Sequence, residues 1–170
     1  MLTLRLATSA DAPAVFELIR ALADYENLTH EVVGSAELLA EHLGGVGLGP
    51  AEQHRPLVEA LLAEVDQQII GFALFFGNYS TFLTQPGIYL EDLFVQPAYR
   101  GQGIGRALLS ALAKLALERN CGRLEWNVLD WNEPAIAFYE RIGARILPDW
   151  RTCRVTGAAI AHLANQTQPL

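Results

Sequence analysis

Apolar and polar residues alternate at the start of the chain. Leu2, Leu4 and Leu6 are separated by Thr3 and Arg5, the pattern of a half-buried strand. The spacing then becomes helical, with Val15, Leu18, Ile19 and Leu22 on one face. Ser9 or Asp11 would cap this helix, and Pro13 suits its first turn. A second helix is read over residues 35–43, and the Gly- and Pro-rich stretch 44–56 reads as a loop. Two apolar runs, 57–65 and 69–76, are joined by Asp66-Gln67-Gln68 and predict an antiparallel hairpin. Residues 78–87 read as another loop and 88–96 as a strand that Pro97 ends.

Helical spacing returns at Ile104, Leu108, Leu112 and Leu115, followed by a strand over 123–129. Asn132-Glu133-Pro134 reads as a helix start, with Ala135, Phe138, Tyr139 and Ile142 on one side and Gly143 as a left-handed end. A strand near 151–155 and a short helix to Ala164 complete the pattern. The order is β-α-α-β-β-β-α-β-α-β and then that helix: an α/β (α+β) chain with antiparallel strands first. A parallel, right-handed strand–helix–strand unit follows them. The 170 residues suit one domain over 1–165, with 166–170 as a frayed tail.

Composition narrows the function classes. The chain is 51% hydrophobic and 18% charged, which suits a substantial core. A net charge of −7 argues against a general nucleic-acid binder, which needs clustered Lys and Arg. No apolar run approaches a membrane span or a secretion signal, so a cytoplasmic, non-membrane protein is expected. His30, His42, His54 and His162 lack metal-ligand spacing, and no metal is expected. Cys121 and Cys153 form no disulfide framework and have no His within a few residues, so neither reads as an activated nucleophile.

The chemistry concentrates at Arg100-Gly101-Gln102-Gly103-Ile104-Gly105, between a strand and a helix. Glycines permit a tight turn that aims several N–H groups at one point, and the helix N-terminus adds its positive field. Arg100 and Arg106 add charge. A glycine-rich turn without a ligand is the alternative on pattern alone. The run is neither the dinucleotide fingerprint, since Arg106 stands where a third glycine is needed, nor a P-loop, since no Gly-Lys-Ser/Thr follows.

Arg-x-x-Gly-x-Gly after a Val-x-Pro strand end resembles the pyrophosphate motif of the GCN5-related N-acetyltransferases (GNAT). Tyr89-Leu-Glu-Asp-Leu-Phe-Val95 and Trp131-Asn-Glu-Pro-Ala-Ile-Ala-Phe-Tyr-Glu-Arg-Ile-Gly-Ala144 are similar to the diamine branch, with its spermidine/spermine and thialysine acetyltransferases. The resemblance runs from about Leu4 to the last helix. It implies a mixed, mostly antiparallel twisted sheet flanked by helices, with acetyl-CoA on the parallel strand–helix–strand core. It also implies a homodimer and a small-molecule amine as acceptor.

The roles implied by the resemblance have physical reasons. A primary amine has a pKa near about 10.4, so at pH 7 it is almost wholly protonated and its nucleophilic form needs a proton acceptor. Glu91 matches that base, acting through water, and strand alternation would set it opposite Asp92. The main-chain N–H groups of Phe94 and Val95 match the acetyl and pantetheine contacts. Residues 100–106 match the pyrophosphate site, and Asn132, Pro134 and Ala135 match further cofactor positions. Tyr139 matches the general acid for the CoA thiolate and also a cofactor contact.

Tyr25 and Glu26 match amine-binding positions, and Asp149 is a further acidic match; a solvated face accounts for Glu26 equally well. Asn78-Tyr-Ser-Thr-Phe82 departs from the spermidine-type pattern, which has an acidic residue there, and looks more like the thialysine-type form. The leading expectation is acetyl transfer to a diamine, polyamine or lysine-analogue amine by direct attack in a ternary complex. The alternatives are a non-catalytic acetyl-CoA sensor, or an acetyltransferase acting on an arylalkylamine or protein amine.

Overall fold

The computed structural model describes residues 1–45 and 55–166. Most of the loop read over 44–56, including His54, and most of the tail lie outside the described residues. The chain divides into two compact parts, Met1–Asn127 and Val128–Leu170.

The first part holds a five-stranded sheet in chain order. Its elements are β1 (Leu2–Leu6), α1 (Ala12–Tyr25), α2 (Ala36–Gly44), β2 (Glu59–Val65), β3 (Gln68–Ser80), β4 (Gln85–Val95), α3 (Ile104–Glu118) and β5 (Leu124–Glu125). The first four strands pair antiparallel, and β5 joins β4 in parallel across α3. That is the mixed sheet with a strand–helix–strand unit that the patterning predicts.

The core lies on both faces of the sheet. Ala12, Val15 and Leu18 of α1 and Leu43 of α2 pack with Leu62, Phe72, Leu74 and Phe94. The opposite face, carrying Leu61, Ala73 and Phe75, meets α3 through buried Ile104, Leu108 and Leu112. Helix α2 is firmer than its sequence suggests, because Ser35 Oγ accepts from Leu38 N–H at 3.2 Å and Gly45 closes the other end at φ 87°. Asp11 stands at the N-cap of α1 but its side chain makes no capping hydrogen bond there. Its carboxylate accepts from Thr8 and from Arg5, whose other partner is Glu64.

Strands differ from expectation where pairing overrides residue type. The loop read over 78–87 is mostly ladder: Asn78, Tyr79 and Ser80 pair with Gly87, Pro86 and Gln85. The strand read over 123–129 shrinks to β5, which pairs only at Ile88↔Leu124 and Tyr89↔Glu125. Beyond Tyr89, the outer edge of β4 has no strand neighbour among the described residues.

A bulge interrupts β4. Leu74 pairs with Asp92 and the next residue, Phe75, pairs with Leu90, so Glu91 is the extra residue. A regular strand would put residues 90 and 92 on one face. Here Asp92 shares the face of Leu74, towards α1, and Leu90 shares that of Phe75, towards α3. The alternation that would set Glu91 and Asp92 opposite each other is therefore broken at that pair.

The second part contains α4 (Glu133–Arg141) and α5 (Ala158–Ala164). The strand expected near 151–155 is absent among the described residues. A strand needs a ladder partner, and among the described residues no strand lies elsewhere in this part.

Candidate active site

Strand β4 leads directly into the glycine turn. After Val95 the chain makes a 3₁₀ turn at Pro97–Tyr99, anchored where Gln96 N–H donates to Ile70 O at 2.9 Å. Gly101 and Gly103 follow at φ 76° and 80°, left-handed conformations that side-chain-bearing residues adopt at a penalty. A Cβ on either would meet nothing within 4 Å. The glycines therefore serve backbone shape, and the turn faces open space. Helix α3 begins at Ile104 with no side chain capping it. Its first N–H groups and dipole are free to take an anion. Ile104 is buried and anchors the helix, while Gln102 and Arg106 are exposed. The chemistry of this turn fits a diphosphate.

Arg100 sits elsewhere than its motif suggests. Its guanidinium lies 4.5 Å from the centre of the Tyr25 ring and 5.4 Å from that of Phe94, and Nε donates to Val95 O at 2.9 Å. Tyr25 is brought there by the end of α1. Asn27 takes φ 60°, and Leu28 N–H donates to Ala23 O at 2.7 Å, a left-handed helix end with Asn in the usual place of Gly. That stop holds Tyr25 and Glu26 in the final turn.

Three carboxylates converge in this part. Asp92 is held up to about 6, first by burial and then by the negative charges of Glu91 and Glu26. Burial also raises Glu26. Glu91, the bulge residue, is exposed. Among the described residues no ion pair involves any of the three. Such a cluster attracts a cation, and its most exposed member can accept a proton.

Phe94 is buried in the core and Val95 is half-buried. A Cβ at Gly71 would lie 2.8 Å from Phe94 O, so glycine there permits close β3–β4 approach. The structure thus brings together Tyr25, Glu26, Glu91, Phe94 and Arg100. Asp92 was missed as a site residue, although it adjoins Glu91 in sequence, because a bulge has no residue-type signature.

The remaining expected residues belong to the second part. Asn132 caps α4, its Oδ1 accepting from Ala135 N–H at 3.3 Å, with Pro134 in the first turn. Tyr139 is half-buried, its ring 5.3 Å from that of Phe138. Gly143 ends this stretch at φ 93°, as the pattern predicts, and Ala144 N–H donates to Tyr139 O at 3.0 Å. Asp149 is exposed, outside any helix or strand. Among the described residues no group of His, Cys, Asp and Glu is arranged to hold a metal.

A family model described as the acetyltransferase (GNAT) family matches residues 19–144. The chain belongs to this acetyltransferase family and is an enzyme of the N-acetyltransferase class. Similar curated proteins include the L-ornithine N5-acetyltransferase NATA1 of Arabidopsis thaliana, 36% identical over 92% of this chain and 85% of that protein. The thialysine N-epsilon-acetyltransferase of Bos taurus is 37% identical over 96% of this chain and 97% of its own. Among solved structures, an integron cassette protein from V. cholerae superposes with a TM-score of 0.77 at 25% identity, covering 97% of this chain and 98% of the other.

Proposed function

We propose that this protein transfers an acetyl group from acetyl-CoA to a primary amine of a small diamine, polyamine or lysine analogue. The transfer is a direct attack with both substrates bound. The observation that carries this reading is the set of carboxylates at Glu26, Glu91 and Asp92, without an ion-pair partner among the described residues, in the same compact part as an open glycine turn. The relatives named for ornithine and thialysine acetylation support an acceptor that bears a second charged group besides its reacting amine.

Main-chain N–H groups at Gly101, Gly103, Ile104 and Gly105 hold the diphosphate, with Arg106 adding charge. The outer edge of β4, which beyond Tyr89 has no strand neighbour among the described residues, offers main-chain groups around Phe94 and Val95 to the acetyl carbonyl and pantetheine. Acetyl-CoA supplies the activated thioester when bound. Glu91 takes the ammonium proton through water, which frees the lone pair. Glu26, Asp92, Tyr25 and Asp149 hold the rest of the amine. Asn132, Pro134 and Ala135 contact the cofactor. Tyr139 donates its hydroxyl proton or a hydrogen bond to the leaving thiolate. A cytoplasmic setting is proposed, and a homodimer on the strength of the family resemblance.

Thiol release by the pure protein over ornithine, thialysine, spermidine, a short diamine and an arylalkylamine tests this. Turnover greatest with the diamine or lysine-analogue acceptors is expected. Acetyl-CoA binding with no turnover on any amine would instead support a sensor module.

A further inference from the structure

The motif places Arg100 at the head of the glycine run as a phosphate partner, yet its contacts point the other way. Its guanidinium is 4.5 Å from the Tyr25 ring centre and 5.4 Å from that of Phe94, and its Nε–H is engaged by Val95 O at 2.9 Å. Phe94 is buried, and Val95 pairs with Gly71 in the ladder, so both partners on β4 are fixed. Tyr25 is exposed at the last position of α1. It is the contact that the cation can orient. Residue 100 also precedes Gly101, so one planar side chain joins the end of α1, the end of β4 and the start of the glycine turn.

We infer that Arg100 is a positioning residue and not a phosphate ligand. It orients Tyr25, and with it the α1 turn that carries Glu26, towards the amine. In this way it couples amine recognition to the conformation of the cofactor turn. The inference rests on the acetyl-transfer reading above. It asks for a planar guanidinium with an Nε donor, which lysine does not supply. It asks for the aromatic face of Tyr25, which phenylalanine does supply. Because coupling between two ligands is reciprocal, each would change the other's affinity by the same factor.

The test uses the full chain as wild type, Arg100→Gln, Arg100→Lys, Tyr25→Leu, Tyr25→Phe and the Tyr25→Leu/Arg100→Gln double variant, each checked for folding by circular dichroism and thermal melting. Calorimetry gives acetyl-CoA affinity at low and high salt, and kinetics give kcat and KM for the best acceptor in the amine panel. Arg100→Gln is expected to change acetyl-CoA affinity by less than about threefold and to keep its salt dependence, while raising the amine KM about 5- to 10-fold. Arg100→Lys should not restore that KM. Tyr25→Phe, which retains the stacking face, should raise the amine KM less than Tyr25→Leu does. Tyr25→Leu should match Arg100→Gln, and the double variant should be no worse than either.

A fall of about tenfold or more in acetyl-CoA affinity in Arg100→Gln, with a shallower salt dependence and an unchanged amine KM, would make Arg100 a phosphate ligand and overturn the inference. Additive effects in the double variant would overturn it too. A wild-type protein that binds no acetyl-CoA would overturn the reading of function and this inference with it. A wild type that binds and turns over while the variants behave as phosphate ligands overturns the inference alone.

Discussion

Two groups of carboxylates in the first part of the molecule have opposite surroundings. At one edge of the sheet Arg5 reaches Asp11 at 2.7 Å and Glu64 at 2.6 Å, and Thr8 N–H adds a bond to Asp11. The guanidinium holds Asp11 well below the usual carboxylate range. Among the described residues Glu26, Glu91 and Asp92 have no such cation, and burial with mutual repulsion pushes Asp92 up to about 6. One group is complete within the fold. The other gathers negative charge with no ion-pair partner among the described residues, which agrees with the amine site proposed above.

The sharpest way to break this comparison is to remove charge from each group and ask what fails. Glu91→Gln should lower kcat at pH 7 by about 10²- to 10³-fold with little change in melting temperature, and the deficit should narrow towards pH 10, where a much larger share of the amine is already neutral. A flat ratio of mutant to wild-type rates from pH 7 to pH 10 would remove Glu91 as the base. Asp11→Asn should do the reverse, keeping kcat while losing about 1–3 kcal/mol of stability. The sign follows from the lowered pKa. The stabilisation is present above the unfolded carboxylate pKa and is lost as pH falls through the folded one. Denaturant unfolding should therefore show the mutant's deficit at pH 7 and a smaller one at pH 4.

Asp92 has the opposite sign. Its raised pKa means that the fold loses stability as pH rises from about 4, the ordinary carboxylate range, to about 6, and carries the full penalty above that. Asp92→Asn should thus stabilise the protein by about 1–2 kcal/mol at pH 7 and by less at pH 4. The same change should raise the KM for an amine carrying a second ammonium. A stabilisation that does not vary with pH would mean that the carboxyl's charge is not the cause. Glu26→Gln should have the smallest effect, an increase of about 3- to 5-fold in amine KM with kcat near wild type, read from steady-state kinetics.

Regular elements were legible wherever one periodicity dominates. The alternation at Leu2, Leu4 and Leu6 gives β1, and Ile104, Leu108 and Leu112 give the buried face of α3. The glycine run was legible as a turn because positive φ at Gly101 and Gly103 follows from residue type. What depends on neighbours was not legible. Gly77, Asn78 and Pro86 look like loop residues, but ladder pairing between β3 and β4 keeps them in strands. Residues 151–155 resemble a strand in isolation and find no partner among the described residues. The contacts of Arg100 with Tyr25 join positions 75 residues apart, and no local pattern encodes them.

The bulge in β4 has a meaning for heredity as well as for geometry. Leu74 and Phe75 are consecutive, and their partners Asp92 and Leu90 flank Glu91. Deleting that single codon would splice the two halves of the ladder into one continuous register, with every other pairing of the sheet retained. The residue to which we assign proton removal is thus the one that the sheet can lose with least disturbance. A single in-frame deletion would thus leave a chain with the same ladder partners and without the residue to which we assign proton removal.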